Sequence, residues 1–204
     1  GASSIYGEVV EDMGDRQRKA AQLAAAQLAA PQLDVLDLAA GAAPWSLAIL
    51  DREPSCRITA VDLPGVLSAT ARAVAATPHH HAFRLREGDA FTIEIDDASY
   101  DLVLIAGLCH LLSAEQNRAL LRRAQRALRP GGRLAIIDVV PEDETNERVL
   151  NLYRLSLLLR TRAGQVYPFA SFASWMSEAG FVDIDRAPLS GSPRLSLMLA
   201  ERPR

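Results

Sequence analysis

The sequence predicts an α/β fold, a three-layer sandwich around a mostly parallel seven-stranded sheet with an antiparallel C-terminal hairpin. Three observations carry this reading. Short apolar runs alternate with helical patterns along the 204 residues, the arrangement of βα units feeding a parallel sheet. Five of those runs read as short strands: Leu33–Leu38, Arg57–Val61, Phe83–Glu87, Asp101–Ile105 and Arg133–Val140. The last two strand-like runs, Phe181–Ala187 and Leu195–Glu201, are joined through Leu189–Pro193. A turn that short allows a hairpin and not a parallel crossover.

The elements follow in order. A helical segment runs from about Ile5 to Ala30, bends near Gly14 and ends at Pro31. After the first strand comes a turn of small residues, Ala39–Ala43, and a helix opened by Pro44, where a missing N–H costs nothing. Asp62-Leu63-Pro64 opens the helix to about Ala76, and Phe83–Glu87 is a further short strand. Ser113 and Gln116 form a capping box. The helix it starts keeps Leu120, Leu121, Ala124, Ala127 and Leu128 on one face. Its arginines, Arg129 included, lie elsewhere or near the C-terminus, where cations complement the helix dipole. Pro130-Gly131-Gly132 is expected to stop it. Helices over about Glu144–Arg162 and Phe169–Ala179 complete the pattern.

Composition narrows the classes of function. The chain is 49% hydrophobic and 23% charged with a net charge of -3, which argues against disorder and against a nucleic-acid partner held by bulk charge. No apolar run approaches the roughly 18–20 residues that span a bilayer, so no membrane partner is expected. Cys56 and Cys109 make neither a disulfide framework nor a metal pattern, which fits a cytoplasmic location. His79-His80-His81 reads as a loop, because consecutive residues converge poorly on a metal, and no metal site is expected.

In open α/β sheets ligands bind beyond the carboxyl ends of the strands, where strand order reverses. The strand ends deliver Asp37 with the Ala39–Ala43 turn, then Asp62, then Gly88-Asp89-Ala90-Phe91, then Ala106 with Cys109-His110, and finally Asp138. Asp62 lies 21 residues after Gly41, the place of an acid that accepts ribose hydroxyls; it would equally serve as a cap for the helix at Pro64. Gly41 has Ala39 two residues before it and Pro44 three after, a poor G-x-G-x-x-G turn, which weighs against a nicotinamide-dependent oxidoreductase.

A longer pattern is a better match. VLDLAAGAAPWSLA (Val35–Ala48), ITAVDLPGV (Ile58–Val66), REGDAF (Arg86–Phe91), the block from Leu108 to Asp138 with its LRPGGRLAIID end, and FASWMSEAGF (Phe172–Phe181) together resemble the Rossmann-like class I S-adenosylmethionine-dependent methyltransferases. More narrowly, the chain is similar to the catalytic domain of small-molecule O-methyltransferases of the caffeate and acetylserotonin type, from about Leu33 to Pro203. The resemblance implies S-adenosyl-L-methionine as cofactor. Asp37, Ala39 and Gly41 would hold its methionine part, Asp62 its ribose, and Leu63, Gly88, Asp89, Ala90 and Phe91 its adenine side, with Ala106 facing the methionine end. His110 would be the general base, with an ordinary imidazole pKa of about 6.5 suited to the task, and Asp138 its orienting partner. Without that resemblance, a lone histidine after an apolar strand reads as a packing residue.

The implied reaction is methyl transfer to a hydroxyl of a small acceptor, aromatic or a secondary metabolite. N- or C-methylation and a non-catalytic binding relative stay open. The chain departs from the group's pattern at Ala39 and Ala43, which replace glycines and fit if φ is negative there. It departs again around Val166, where Gln165 and Tyr167 flank a position lacking the expected carboxylate, and at Leu111, where Asp or Asn is common. Trp45 would reach the acceptor or pack in the core. Tyr153 sits on a helix apolar on several sides, from Val149 to Leu159, which would line the acceptor pocket or lie under a covering segment. Residues 1–32 read as a helical lead-in and 33–204 as the cofactor-binding domain. The N-terminal dimerisation domain usual in the group has no counterpart here, so the chain is expected to be a core of a longer protein that would form a homodimer.

Overall fold

In a computed structural model, residues 17–191 and 193–204 are described. The expected helix before residue 17, its bend near Gly14, and Ser192 in the last turn lie outside the described residues. Helix α1 covers 17–28. Then follow β1 (Asp34–Leu38), α2 (Pro44–Arg52), β2 (Arg57–Asp62), α3 (Pro64–Ala75), β3 (Phe83–Glu87), β4 (Tyr100–Ala106), α4 (Ala114–Ala127), β5 (Leu128–Val139), α5 (Glu147–Arg160), α6 (Phe169–Glu178), β6 (Val182–Gly191) and β7 (Arg194–Glu201).

One seven-stranded sheet has the order β3-β2-β1-β4-β5-β7-β6. The first five strands pair in parallel, and β7 runs antiparallel to both β5 and β6. Strand order reverses between β1 and β4, so the crevice for a ligand opens at their carboxyl ends. These central strands are buried on both faces, as their near-continuous apolar runs require. Alternation sorts the side chains. Leu36, Leu38, Val103 and Ile105 face a cluster with Leu120, Leu121, Phe172 and Trp175 from α4 and α6. Val35, Leu102 and Leu104 face a cluster with Ala21, Ala24, Leu28, Ile49 and Leu50 from α1 and α2. The alanines let α1 lie close against the sheet. Among the described residues no helix is long and apolar enough to cross a membrane.

Two boundaries differ from expectation. Helix α4 ends at Ala127, and β5 already begins at Leu128, carrying Pro130-Gly131-Gly132 within it. Gly131 at φ 78 allows the irregular stretch in which the ladder passes from the Tyr100–Leu128 pair directly to the Leu102–Arg133 pair. Arg129 is therefore a strand residue and not a helix-dipole partner. Its guanidinium donates to Asp101 at 2.7 Å and to Asp34 at 3.0 Å, and Arg57 also donates to Asp34 at 2.7 Å. This clasp joins the starts of β1, β2, β4 and β5, at the sheet edge opposite the crevice. The C-terminal hairpin is also tighter than expected, because β6 continues to Gly191.

Arg129→Met should lower unfolding free energy by about 1 kcal/mol, the scale of partly exposed ion pairs. Urea melts would show a lower midpoint with an unchanged slope, and the difference should shrink in high salt.

Candidate functional site

The crevice is built from the strand ends outward. Beyond β1, the Ala39 and Ala40 amides donate to the Val61 carbonyl at 2.9 and 3.2 Å, and the Ala43 amide closes the turn on the Ala40 carbonyl at 2.8 Å. Ala39, Gly41 and Ala43 have φ of 60, 58 and 55°. The condition under which alanine fits easily here, a negative φ, is not met: the backbone keeps a left-handed shape that suits glycine. Each alanine carries strain of about 1–2 kcal/mol.

Asp62 ends β2 and holds this turn. One carboxylate oxygen accepts the Gly41 amide at 2.8 Å, and the other accepts the Leu63 amide at 2.7 Å. The cap position of α3 is Leu63, with no side-chain cap, so Asp62 does not act as the helix cap that its sequence position allowed. Burial raises its pKa, against the two backbone bonds.

Asp37 is 1% exposed. The Ser46 hydroxyl of α2 donates to its Oδ2 at 2.5 Å, while its Oδ1 is buried without a hydrogen-bond partner among the described residues. Burial pushes its pKa up to about 7, the Ser46 bond opposing and the charge of Asp62 adding. A buried carboxylate with a free oxygen beside a second acid is a ready acceptor for a cationic group such as an ammonium.

The β3 end lies next to this pair. The Gly88 amide donates to the Asp62 carbonyl at 2.9 Å, and a Cβ on Gly88 would come within 2.8 Å of the Ile93 side chain. Asp89 accepts the Phe91 amide at 2.8 Å and is otherwise exposed. Ala90 and Phe91 are partly buried against the first core cluster, and Leu63 is 51% exposed, an apolar surface available to a flat ring.

Across the switch point, β4 ends at Ala106. Gly107, at φ 64, donates its amide to the Ile137 carbonyl at 2.8 Å and turns the chain into a short 3₁₀ turn, Cys109–Leu111. His110 on that turn is 7% exposed. Its Nδ1 lies 2.8 Å from Asp138 Oδ1, and its own amide donates to Asp138 Oδ2 at 3.0 Å. Asp138 Oδ1 also accepts the Val139 amide at 2.8 Å. A carboxylate only accepts, so Nδ1 carries the imidazole proton and Nε2 keeps its lone pair. The Tyr153 ring of α5 stands 5.6 Å from the His110 ring, edge to face, with the Arg160 guanidinium 5.8 Å from the Tyr153 centroid. Burial, with Asp138 adding, holds the Tyr153 hydroxyl well above the usual phenol range, so it is a donor at any ordinary pH.

The structure thus gathers nearly all the expected site residues along the C-terminal ends of the strands, with Tyr153 beside them on α5. Trp45 is the exception. It is 4% exposed within the second core cluster, so packing accounts for it. No carboxylate comes from the Gln165–Tyr167 stretch; Tyr167 is buried, and its hydroxyl donates to the Leu112 carbonyl at 2.8 Å. His79 pairs with Asp51 at 3.0 Å, and among the described residues no cluster suited to a metal occurs. Sequence reading missed Asn117, Arg123 and Gly164, which hold the site from behind. Asn117 carried a signal, being a polar residue on the apolar face of α4. Gly164 carried none: only the fold shows that a Cβ there would meet the His110 carbonyl at 2.5 Å.

Residues 35–132 match the family described as Methyltransferase domain. Among its relatives is the tetracenomycin polyketide synthesis 8-O-methyl transferase TcmO of Streptomyces glaucescens. It is 29% identical over 71% of this chain and 42% of that protein. The L-tyrosine C(3)-methyltransferase of Streptomyces lavendulae is 28% identical over 72% of this chain and 40% of that protein. A crystal structure of a candidate O-methyltransferase from Nostoc punctiforme superposes with a TM-score of 0.86 and 25% identity, covering 97% of this chain and 60% of that one. The chain spans less than half the length of these two curated relatives.

Two outcomes are expected. Ala39→Gly should raise unfolding free energy by about 1 kcal/mol, because it relieves strain at a partly exposed position; denaturant melts would measure it. The folded state holds the Asp37 proton up to about pH 7, while the unfolded chain releases it near 4. This contribution to stability is complete below about pH 4 and is lost as pH rises through 7. Asp37→Asn should therefore raise the melting temperature more at pH 8 than at pH 5.

Proposed function

We propose that this domain transfers a methyl group from S-adenosyl-L-methionine to the hydroxyl of a small aromatic acceptor. The observation that carries the reading is the His110–Asp138 pair: a buried carboxylate 2.8 Å from Nδ1 fixes the imidazole tautomer, so that Nε2 carries the lone pair a general base needs. The residues present fit the cofactor, since the unpartnered Oδ1 of Asp37 suits its ammonium group. When bound, the cofactor supplies an activated methyl on a sulfonium sulfur.

The chain's own residues then do the following. Asp37 and the backbone of the Ala39–Ala43 turn hold the methionine part. Asp62 accepts the ribose hydroxyls with the lone pairs left by its two backbone bonds. Asp89 accepts the adenine amino group, with Leu63 and Phe91 against the ring and Gly88 and Ala90 shaping the loop. Ala106 borders the methionine end. His110 Nε2 takes the acceptor proton as the oxygen attacks, and Asp138 stabilises the imidazolium. Tyr153 walls the acceptor side. The leucines that α5 exposes, Leu152, Leu155, Leu158 and Leu159, would face a dimerisation domain of the kind usual in the resembling group.

C-methylation is a second reading, supported by the relative named for tyrosine C(3). A phenolate is nucleophilic at oxygen and at the ortho carbon, so the same base would serve either outcome.

Calorimetry with S-adenosylhomocysteine and turnover on a panel of phenols test the proposal. His110→Ala should slow turnover by about 10²–10⁴-fold and leave homocysteine-nucleoside affinity within about twofold. Loss of that affinity in the variant would give His110 a structural role instead.

A further inference from the structure

Helix α4 touches both halves of the crevice from behind, and its contacts differ in kind. Near its N-terminus, Asn117 is 1% exposed. Its side-chain amide donates to the Cys109 carbonyl at 3.0 Å and to the Ser113 carbonyl at 3.2 Å. Cys109 begins the 3₁₀ turn that presents His110, so this bond pins the turn at the residue before the histidine. Asn117 Oδ1 is buried with no hydrogen-bond partner among the described residues. An apolar side chain would fill this place on the apolar stripe without that desolvation cost, and the hydrogen bond to the turn is what an asparagine adds.

Farther along the same helix, Arg123 points to the other half. Its Nε donates to the Ala90 carbonyl at 3.0 Å, and its Nη2 donates to the Ile93 carbonyl. Both carbonyls belong to the loop after β3 that carries Asp89 and Phe91. The planar fork of a guanidinium holds two carbonyls in one geometry, where an ammonium would hold only a point. The bonds cross 33 and 30 residues of sequence and tie a loop that is only partly buried to a helix anchored in the core.

We propose that Asn117 and Arg123 are positioning residues, and that α4 sets the two halves of the site separately. Asn117 acts through the Cys109 carbonyl on His110, and Arg123 acts through Ala90 and Ile93 on the adenine-side loop. Neither touches cofactor or acceptor. The proposal rests on the methyltransferase reading above for what each half binds.

The test needs no acceptor. It uses Asn117→Leu, with Asn117→Ala as a second variant should the first fail to fold, and Arg123→Met with Arg123→Lys. The readouts are calorimetric binding of S-adenosylhomocysteine and the NMR signal of the His110 Nδ1 proton in its bond to Asp138. Asn117→Leu should broaden or abolish the His110 signal and leave the dissociation constant within about twofold. Arg123→Met should raise the dissociation constant at least about fivefold and leave the His110 signal in place. Arg123→Lys should recover part of the affinity. Variants that alter both readouts together, or neither, would overturn separate positioning and leave α4 as plain scaffold. Failure of the unsubstituted chain to bind S-adenosylhomocysteine would overturn the methyltransferase reading itself, and the proposal with it.

Discussion

The carboxyl end of β2 organises this molecule's working surface. The Asp62 side chain takes the amides of Gly41 and Leu63, and its main-chain carbonyl takes the amide of Gly88. One residue thus links the turn after β1, the start of α3 and the loop after β3. Parallel pairing brings these three segments side by side, but pairing ends with the strands, and the loops beyond need their own partners. A buried acid supplies them, because a carboxylate can accept several donors at once.

That arrangement costs stability. Asp37 and Asp62 are both buried, burial raises the cost of ionising each, and the charge of Asp62 adds to that cost at Asp37. Ala39 and Ala43 hold left-handed backbone with a side chain in place. Compensation comes from elsewhere in the fold: two apolar clusters on the faces of the sheet and the Arg129–Asp34–Asp101 clasp at its far end. Strain and buried charge concentrated at one end of an otherwise consistent fold are the mark of a functional site.

The surroundings of His110 are organised on a different plan. His110 sits on a turn after β4 and not on a strand, so its position depends on what surrounds it. Asp138 holds both its ring and its amide, Tyr167 bonds the end of the turn, Asn117 bonds its start, and Gly164 lets the chain after α5 pass against its carbonyl. The imidazole is thereby held from several sides, although no single element carries it.

Much of this was legible in the chain itself. Alternating apolar runs and helical stripes set the α/β class, and the short last turn set the hairpin, because periodicity and connection length are local properties. The acids at strand ends, Asp37, Asp62, Asp89 and Asp138, could be placed because a strand's end is where its apolar run stops. Local signals misled where a long-range partner decided. Pro130-Gly131-Gly132 looks like a helix stop, yet pairing with β4 draws the segment into β5. Alanines at 39 and 43 looked compatible with negative φ, yet the turn imposed by Val61 and Asp62 sets it positive. Trp45 could be pocket or core, and only packing against the sheet decided for core. What the sequence by itself determined was the order of elements and the residue types at their ends. Tertiary structure decided how those groups are held: the tautomer of His110 and the side-chain bond of Asp37 depend on partners twenty-eight and nine residues away, beyond the reach of any local rule.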